Sequence, residues 1–198
     1  MRTLFPALVL SAVVANCAEP LTQHERDYAL SNLHASRKLF LDAVAGLTPE
    51  QWSFKAGPDR WSIAECAEHI AVSEDFISGM VRNQLLKSPP APDQKSAVTD
   101  EQIVEKTADR SKKFTAPEQI APTHRWNDPA EAVAHFKESR EKNIEYINTT
   151  NDEFRQHFFK HPAFGVLDAY QWMLLMAAHT ERHTLQILEV KSDPNFPK

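Results

Sequence analysis

The chain is 198 residues long, enough for one domain with a substantial core. A formal net charge of -5 gives no basic field for phosphate backbones, and the aromatics are not interleaved with Lys or Arg. Both features argue against nucleic acid as a partner. Four glycines among many Ala, Leu, Glu, Lys and Gln residues favour helix over sheet, and the thirteen prolines cluster between the helical stretches.

Residues 1–18 carry one positive charge, Arg2, and then an apolar run too short to span a bilayer, which reads as a signal peptide. Val13 and Ala15 suit cleavage after Ala15, and Ala18 offers a second end. The expected location is therefore exported, periplasmic or secreted. Val14 to Cys17 also resembles a bacterial lipoprotein box, although Asn16 stands where such signals want Gly, Ala or Ser; a lipid anchor at Cys17 is the secondary reading. With the signal removed after Ala18, Cys66 is the only thiol, so no internal disulfide forms. No later apolar stretch is long enough for a membrane span.

The mature domain is expected over residues 21–191. From Leu21 to Leu47, apolar residues recur at helical spacing up to Gly46 and the Thr48-Pro49 break, giving a first helix. Residues 51–58 read as a loop. Ser62 and Glu65 form a capping box for a second helix that runs to about Leu86, where Ser88-Pro89-Pro90 stops it. A proline-rich connection over 87–98 leads to a modest amphipathic helix from about Asp100 to Lys113, with a small expected share of the core. Phe114 to Asn127 is irregular, and Asp128-Pro129 starts a third long helix reaching about Thr149. A short helical turn is expected within 151–159, a loop at 161–165, and a last long helix from about Leu167 to Lys191. Strand signals are nearly absent. The fold class is all-α, a four-helix bundle with long crossover connections and one short extra helix.

On a wheel of about 100° per residue, His179 and His183 lie in the core stripe of the last helix with Trp172, Met176, Ile187 and Val190. His69 lies on the second helix on the side of Ser62, Cys66, Ser73, Phe76 and Met80, with Glu65 close. Nine histidines in this length give about 0.4 His-x-x-x-His pairs by chance, so the spacing alone is weak. Two readings stay open on the pattern: satisfied core histidines, or three imidazoles whose burial is compensated by a metal.

Trp61-Ser62-Ile63-Ala64-Glu65-Cys66-Ala67-Glu68-His69-Ile70, then His161-Pro162-Ala163-Phe164-Gly165, Gln171-Trp172 and His179-x-x-x-His183-x-x-Gln186-Ile187, resemble the DinB-like superfamily of metal-binding helical bundles. The resemblance covers roughly residues 25–190. It implies a four-helix bundle and a divalent metal held by His69, His179 and His183. Related proteins include thiol-dependent transferases and isomerases and metal-dependent hydrolases, so what it implies is sharper for the site than for the reaction.

Three imidazoles leave coordination positions open, which suits a catalytic site, and nitrogen donors suit zinc or nickel as the divalent metal, with iron and copper as alternatives. The functional expectation is a metal-dependent hydrolase or transferase acting on a small-molecule substrate. The alternative is a non-catalytic stress-related or ligand-binding bundle in which the metal is structural or absent. Glu65 is the candidate general base, with its capping role the favoured competing reading. Cys66 is read as a small buried core residue rather than a fourth ligand or redox thiol. Gln186 serves either a ligand histidine, the substrate or helix packing. Trp61, Trp172 and Phe164 read as core or pocket wall. His24, His34, His124, His135, His157 and His161 read as surface or loop residues, His161 being the most interesting of them. A second copy of this chain is a further candidate partner, since the apolar faces permit a homodimer.

Overall fold

The computed structural model describes residues 19–198; the expected signal peptide and Cys17 lie outside the described residues. Thr22, Thr48, Ser62 and Thr99 open helices in the same way. Each hydroxyl accepts the backbone N–H three residues on, and the Glu or Gln there accepts the cap residue's own N–H. These boxes start α1 (Gln23–Val44), α2 (Pro49–Ser53), α3 (Ile63–Asn83) and α4 (Asp100–Ala108). Asp128 and Asp168 cap α5 (Pro129–Thr149) and α6 (Ala169–Lys191). After α1 the chain turns at Gly46, whose φ of 68° is in the left-handed region that glycine enters without a Cβ clash. Removing the hydroxyl with Ser62→Ala is expected to destabilise the protein by about 1 kcal/mol in urea unfolding. An unchanged midpoint would mean that Glu65 fixes the start of α3 alone.

Side-chain bonds between helices set their directions. Tyr170 donates to the Glu25 carbonyl and Lys191 to the Ala43 carbonyl, so α1 and α6 run parallel. Arg26 reaches the carbonyls of Ile147 and Thr150 near the far end of α5, so α1 and α5 are antiparallel. Arg140 pairs with Glu74 and Asn143 accepts from Arg82, so α3 and α5 are parallel. The four long helices therefore run up, down, down, up. Helices α1 and α3 each pack against both α5 and α6, which leaves the chain neighbours α1 and α3, like α5 and α6, on the diagonals of the bundle. The parallel step from α3 to α5 needs a long crossover, supplied by residues 84–128.

The core forms two apolar clusters. One surrounds Leu33, Ile147, Tyr170 and Met173, and the other surrounds Phe40, Ile63, Phe136 and Ile187. Between them lies a layer of buried polar side chains, among them Ser36, Glu74, Arg140 and Thr180.

Several expectations are corrected. The short helical turn expected within 151–159 is the 3₁₀ turn Phe154–Gln156, but where a loop and the start of the last helix are expected the chain forms an antiparallel hairpin, β1 (Phe158–His161) paired with β2 (Gly165–Asp168). Gly165, at φ 77°, makes the turn, and Ala97 donates its N–H to the Val166 carbonyl from the proline-rich segment alongside. Four-residue strands are too short to stand out against helical periodicity. Residues 49–53 form the short α2 inside what reads as a loop, and α3 ends at Asn83, followed by a 3₁₀ turn at Leu85–Lys87. Helix α4 ends at Ala108 and contributes more to the core than expected: it lies across α6, burying Ile103 and Thr107. His157 is buried beside Ser88 instead of lying at the surface. Phe76, aligned with His69 on α3, is 44% exposed, so that face leaves the core two turns beyond the histidine. Past Lys191 the chain folds back, placing Phe196 edge-on against Phe54.

Candidate metal centre

Helix α3 runs antiparallel to α6, which brings His69, in the first third of one, opposite His179 and His183, at the middle of the other and one turn beyond it. One ring nitrogen of each lies within 4.8 Å of the other two, forming the one group of three side chains placed to hold a metal ion among the described residues. The Nε2 atoms of His69 and His179 are 3.2 Å apart. Two nitrogens about 2.0–2.1 Å from a tetrahedral ion lie about 3.3–3.4 Å from each other, so the spacing fits such a centre.

Hydrogen bonds at the opposite ring nitrogens decide which atoms face inward. His69 donates from Nδ1 to the Ile120 carbonyl at 2.7 Å, which leaves the lone pair on Nε2. His183 donates from Nδ1 to Gln186 Oε1 at 3.0 Å, and the same oxygen accepts from Arg110 at 3.2 Å. Arg110 is itself held by both carboxylate oxygens of Glu189. Gln186 thus bonds His183, one of the candidate ligand histidines. The lone pair of His69 Nε2 meets His179 Nε2 head-on, an arrangement a shared proton or a cation makes favourable. The donor set fits a divalent ion.

Burial pushes His69 down to about 4, outweighing the Ile120 carbonyl that favours its charged form. Burial, then the charges of neighbouring imidazoles and of Arg182, hold His179 and His183 well below the ordinary value. All three rings are neutral donors at pH 7. In the unfolded chain they titrate near 6.5. Protons then bind the unfolded state first, so stability is intact above pH 6.5 and is lost as pH falls toward 4. Metal-free protein titrated in urea is expected to lose about 3 kcal/mol through His69 alone across that window. A flat profile between pH 7 and 4 would contradict neutral, buried rings.

The open side is visible in the exposure. His69 is 1% exposed, whereas His179 and His183 are half-buried. Trp61, on the loop before α3, lies 4.9 Å from the His69 ring and 5.9 Å from that of His183, walling one side. On the hairpin, His161 packs between Phe164 and Trp172, at 4.9 and 5.1 Å, and is near enough for its charge to act on His179. The backbone N–H groups of Ala163 and Phe164 donate to His161 Nδ1, so its proton sits on Nε2. Trp172 itself is buried with its Nε1–H unpaired.

Glu65 is engaged elsewhere. One oxygen accepts the Ser62 N–H at 2.7 Å and the other the Lys55 ammonium at 2.7 Å. Burial pushes its carboxyl up, but the bonds from Lys55 and Ser62 outweigh this and hold it below the usual range. Cys66 is fully buried in the apolar cluster, and burial raises its thiol. His24, His34 and His124 are exposed, and His135 pairs with Asp75 at the surface. The Ile120 carbonyl had no signal in the sequence, because a backbone acceptor is independent of side-chain type.

The model of the DinB superfamily matches residues 32–187. Protein YuaE of Bacillus subtilis (strain 168) is 25% identical over 148 residues, 75% of this chain and 88% of YuaE. Among solved structures, YfiT of Bacillus subtilis, described as a probable metal-dependent hydrolase with an unusual four-helix bundle topology, superposes with a TM-score of 0.58 at 16% identity, covering 86% of this chain and 88% of YfiT. TT2238, described as a four-helix bundle protein, superposes with a TM-score of 0.52 at 23% identity, covering 83% of this chain and 98% of TT2238. Both solved structures are described as four-helix bundles, the fold found here, and with the family match running from α1 into α6, this chain belongs to the DinB superfamily.

Proposed function

We propose that this chain is a metal-dependent hydrolase of a small-molecule substrate, with His69, His179 and His183 holding one divalent ion, zinc or nickel, through nitrogen. The observation that carries the reading is the convergence of three neutral imidazoles, two of them with the outer ring nitrogen already committed as a donor. The description of YfiT as a probable metal-dependent hydrolase supports it. When bound, such an ion supplies Lewis acidity and lowers the pKa of a water toward about 7.

The chain's own residues do the rest. Ile120 and Gln186 orient two of the rings, and Trp61 keeps water from one flank. The half-buried edges of His179 and His183 leave an approach for substrate. His161 holds a proton at Nε2 on the hairpin side, where it serves as a hydrogen-bond donor to a polarised substrate oxygen. Glu65 keeps its capping role and is given no proton to move.

The test is metal analysis of protein purified without a histidine tag, followed by an ester and amide panel before and after chelation. About one equivalent of zinc or nickel and chelator-sensitive hydrolysis are expected; hydrolysis that survives complete metal removal would sink the reading. Export belongs to the same proposal, and a secreted or periplasmic product beginning at Asn16 or Glu19 is its expected signature.

A further inference from the structure

We infer that Glu68 is a positioning residue of the metal centre: its carboxylate clamps the 120–125 segment and thereby holds the Ile120 carbonyl that fixes the tautomer of His69. The inference rests on reading the three histidines as metal ligands.

Glu68 and His69 are successive residues of α3, about 100° apart around the helix, so they face different neighbours. His69 faces α6. Glu68 faces the crossover, where its carboxylate accepts the backbone N–H groups of three consecutive residues: Thr123 at 2.7 Å, His124 at 3.0 Å and Arg125 at 3.3 Å. The Arg125 guanidinium approaches the same carboxylate at 3.8 Å. Glu68 is only 5% exposed, so these bonds replace the water its charge has lost.

Within the 120–125 segment Ile120 is buried and Arg125 bonds Thr123 Oγ1 and the Gln119 carbonyl, while the acceptor for the N–H groups of 123–125 is Glu68. Between α4 and α5 the regular structure is one 3₁₀ turn, Glu118–Ile120, and the side chains of Thr123, His124 and Arg125 are exposed. His124 sits at a φ of 59°, a left-handed conformation unfavourable for a residue with a Cβ unless its surroundings impose it. The Glu68 carboxylate, which binds the His124 N–H itself, imposes it.

Three residues upstream of that clamp is Ile120, whose carbonyl takes the His69 Nδ1 proton at 2.7 Å. The path therefore closes on itself, from Glu68 through the backbone of 120–125 to the ring of its neighbour. If Ile120 shifts, Nδ1 loses its acceptor, the proton is free to move to Nε2, and the inward lone pair is lost.

Glu68→Gln tests this, since it removes one acceptor oxygen and sets an amide N–H₂ against the loop's own donors. With the whole protein and Zn²⁺ as probe, chelator competition is expected to show affinity falling about ten- to a hundred-fold. In ¹⁵N-labelled metal-free protein, His69 is expected to pass from a single Nδ1–H tautomer to a mixture. Affinity within twofold of the starting protein together with an unchanged tautomer would overturn the inference.

Ile147→Val, a cavity at the opposite end of the core, separates positioning from loss of stability. It is expected to leave both readouts unchanged. An equal loss of affinity there would also overturn the inference. Should Glu68→Gln fail to fold, Glu68→Asp, which withdraws the carboxylate by one methylene, is judged by the same thresholds. A starting protein that binds no zinc removes the metal reading, and the tautomer of His69 then decides the role of Glu68 alone.

Discussion

His183→Ala is expected to lower bound metal from about one equivalent to less than a tenth and to reduce hydrolysis by about a thousandfold or more. His179→Ala should match it. Each of these imidazoles is one of three nitrogen donors, and no other His, Cys, Asp or Glu among the described residues joins their group to replace a lost ligand. The partners left behind are not harmed in the same way: Gln186, once freed from His183, still accepts from Arg110. The metal-free variant should therefore melt close to the metal-free starting protein, because truncation also removes a polar ring whose burial was unfavourable. The difference appears on adding metal. An ion present at 100 times its dissociation constant stabilises the folded state by about 2.7 kcal/mol, and the variant should gain almost none of this. Two melting curves per protein, with and without zinc, decide the matter. A variant that keeps stoichiometric metal and the full stabilisation would remove His183 from the centre.

What could be read from the sequence divides along physical lines. Caps are local, so Ser62 with Glu65 and Asp128 with Pro129 marked the starts of α3 and α5 to the residue. The inward direction of His69, His179 and His183 followed from helical periodicity, and the antiparallel pairing of α3 with α6 turned three directions into one cluster. The hairpin escaped because each strand contributes only four residues, and its outer edge is bonded by Ala97 from the distant proline-rich segment. The weight of α4 in the core also escaped. It is only nine residues long, so few apolar positions signal the burial of Ile103 and Thr107, and Arg182 of α6 reaches the carbonyls of Thr107 and, just beyond the helix, Asp109 and Lys112. Outer contacts of the site were legible only where side chains make them: Gln186 could be named in advance, while the Ile120 carbonyl depends on how a loop without sequence pattern crosses the end of α3.

Arg140→Met is expected to destabilise the protein by about 3–5 kcal/mol, roughly 10–15 °C in melting temperature for a chain of this size. Arg140 and Glu74 are both fully buried and form a two-pronged pair, Nε to Oε1 and Nη2 to Oε2, each at 2.7 Å. The remaining guanidinium donors go to the Leu33 carbonyl, Ser36 and Thr180 at 2.8–2.9 Å, so α5 is tied to α1, α3 and α6 through one side chain. Asn143 supplies Glu74 with a further donor at 2.8 Å. Removing the cation leaves a carboxylate in an apolar interior with only that neutral amide, and Glu74→Ala leaves the guanidinium in the converse state. The pair's net worth is smaller than either loss. The double variant Glu74→Leu, Arg140→Met should therefore recover much of the stability, and a double-mutant cycle in urea should give a coupling of several kcal/mol. Strictly additive losses would mean the two charges are solvated independently. Thr180, one residue from His179, receives a guanidinium donor directly, so the same network braces the turn of α6 that carries this candidate ligand. Arg140→Lys keeps the charge but loses the fork. It should restore only part of the stability, because a single ammonium cannot serve Glu74, Ser36, Leu33 and Thr180 at once.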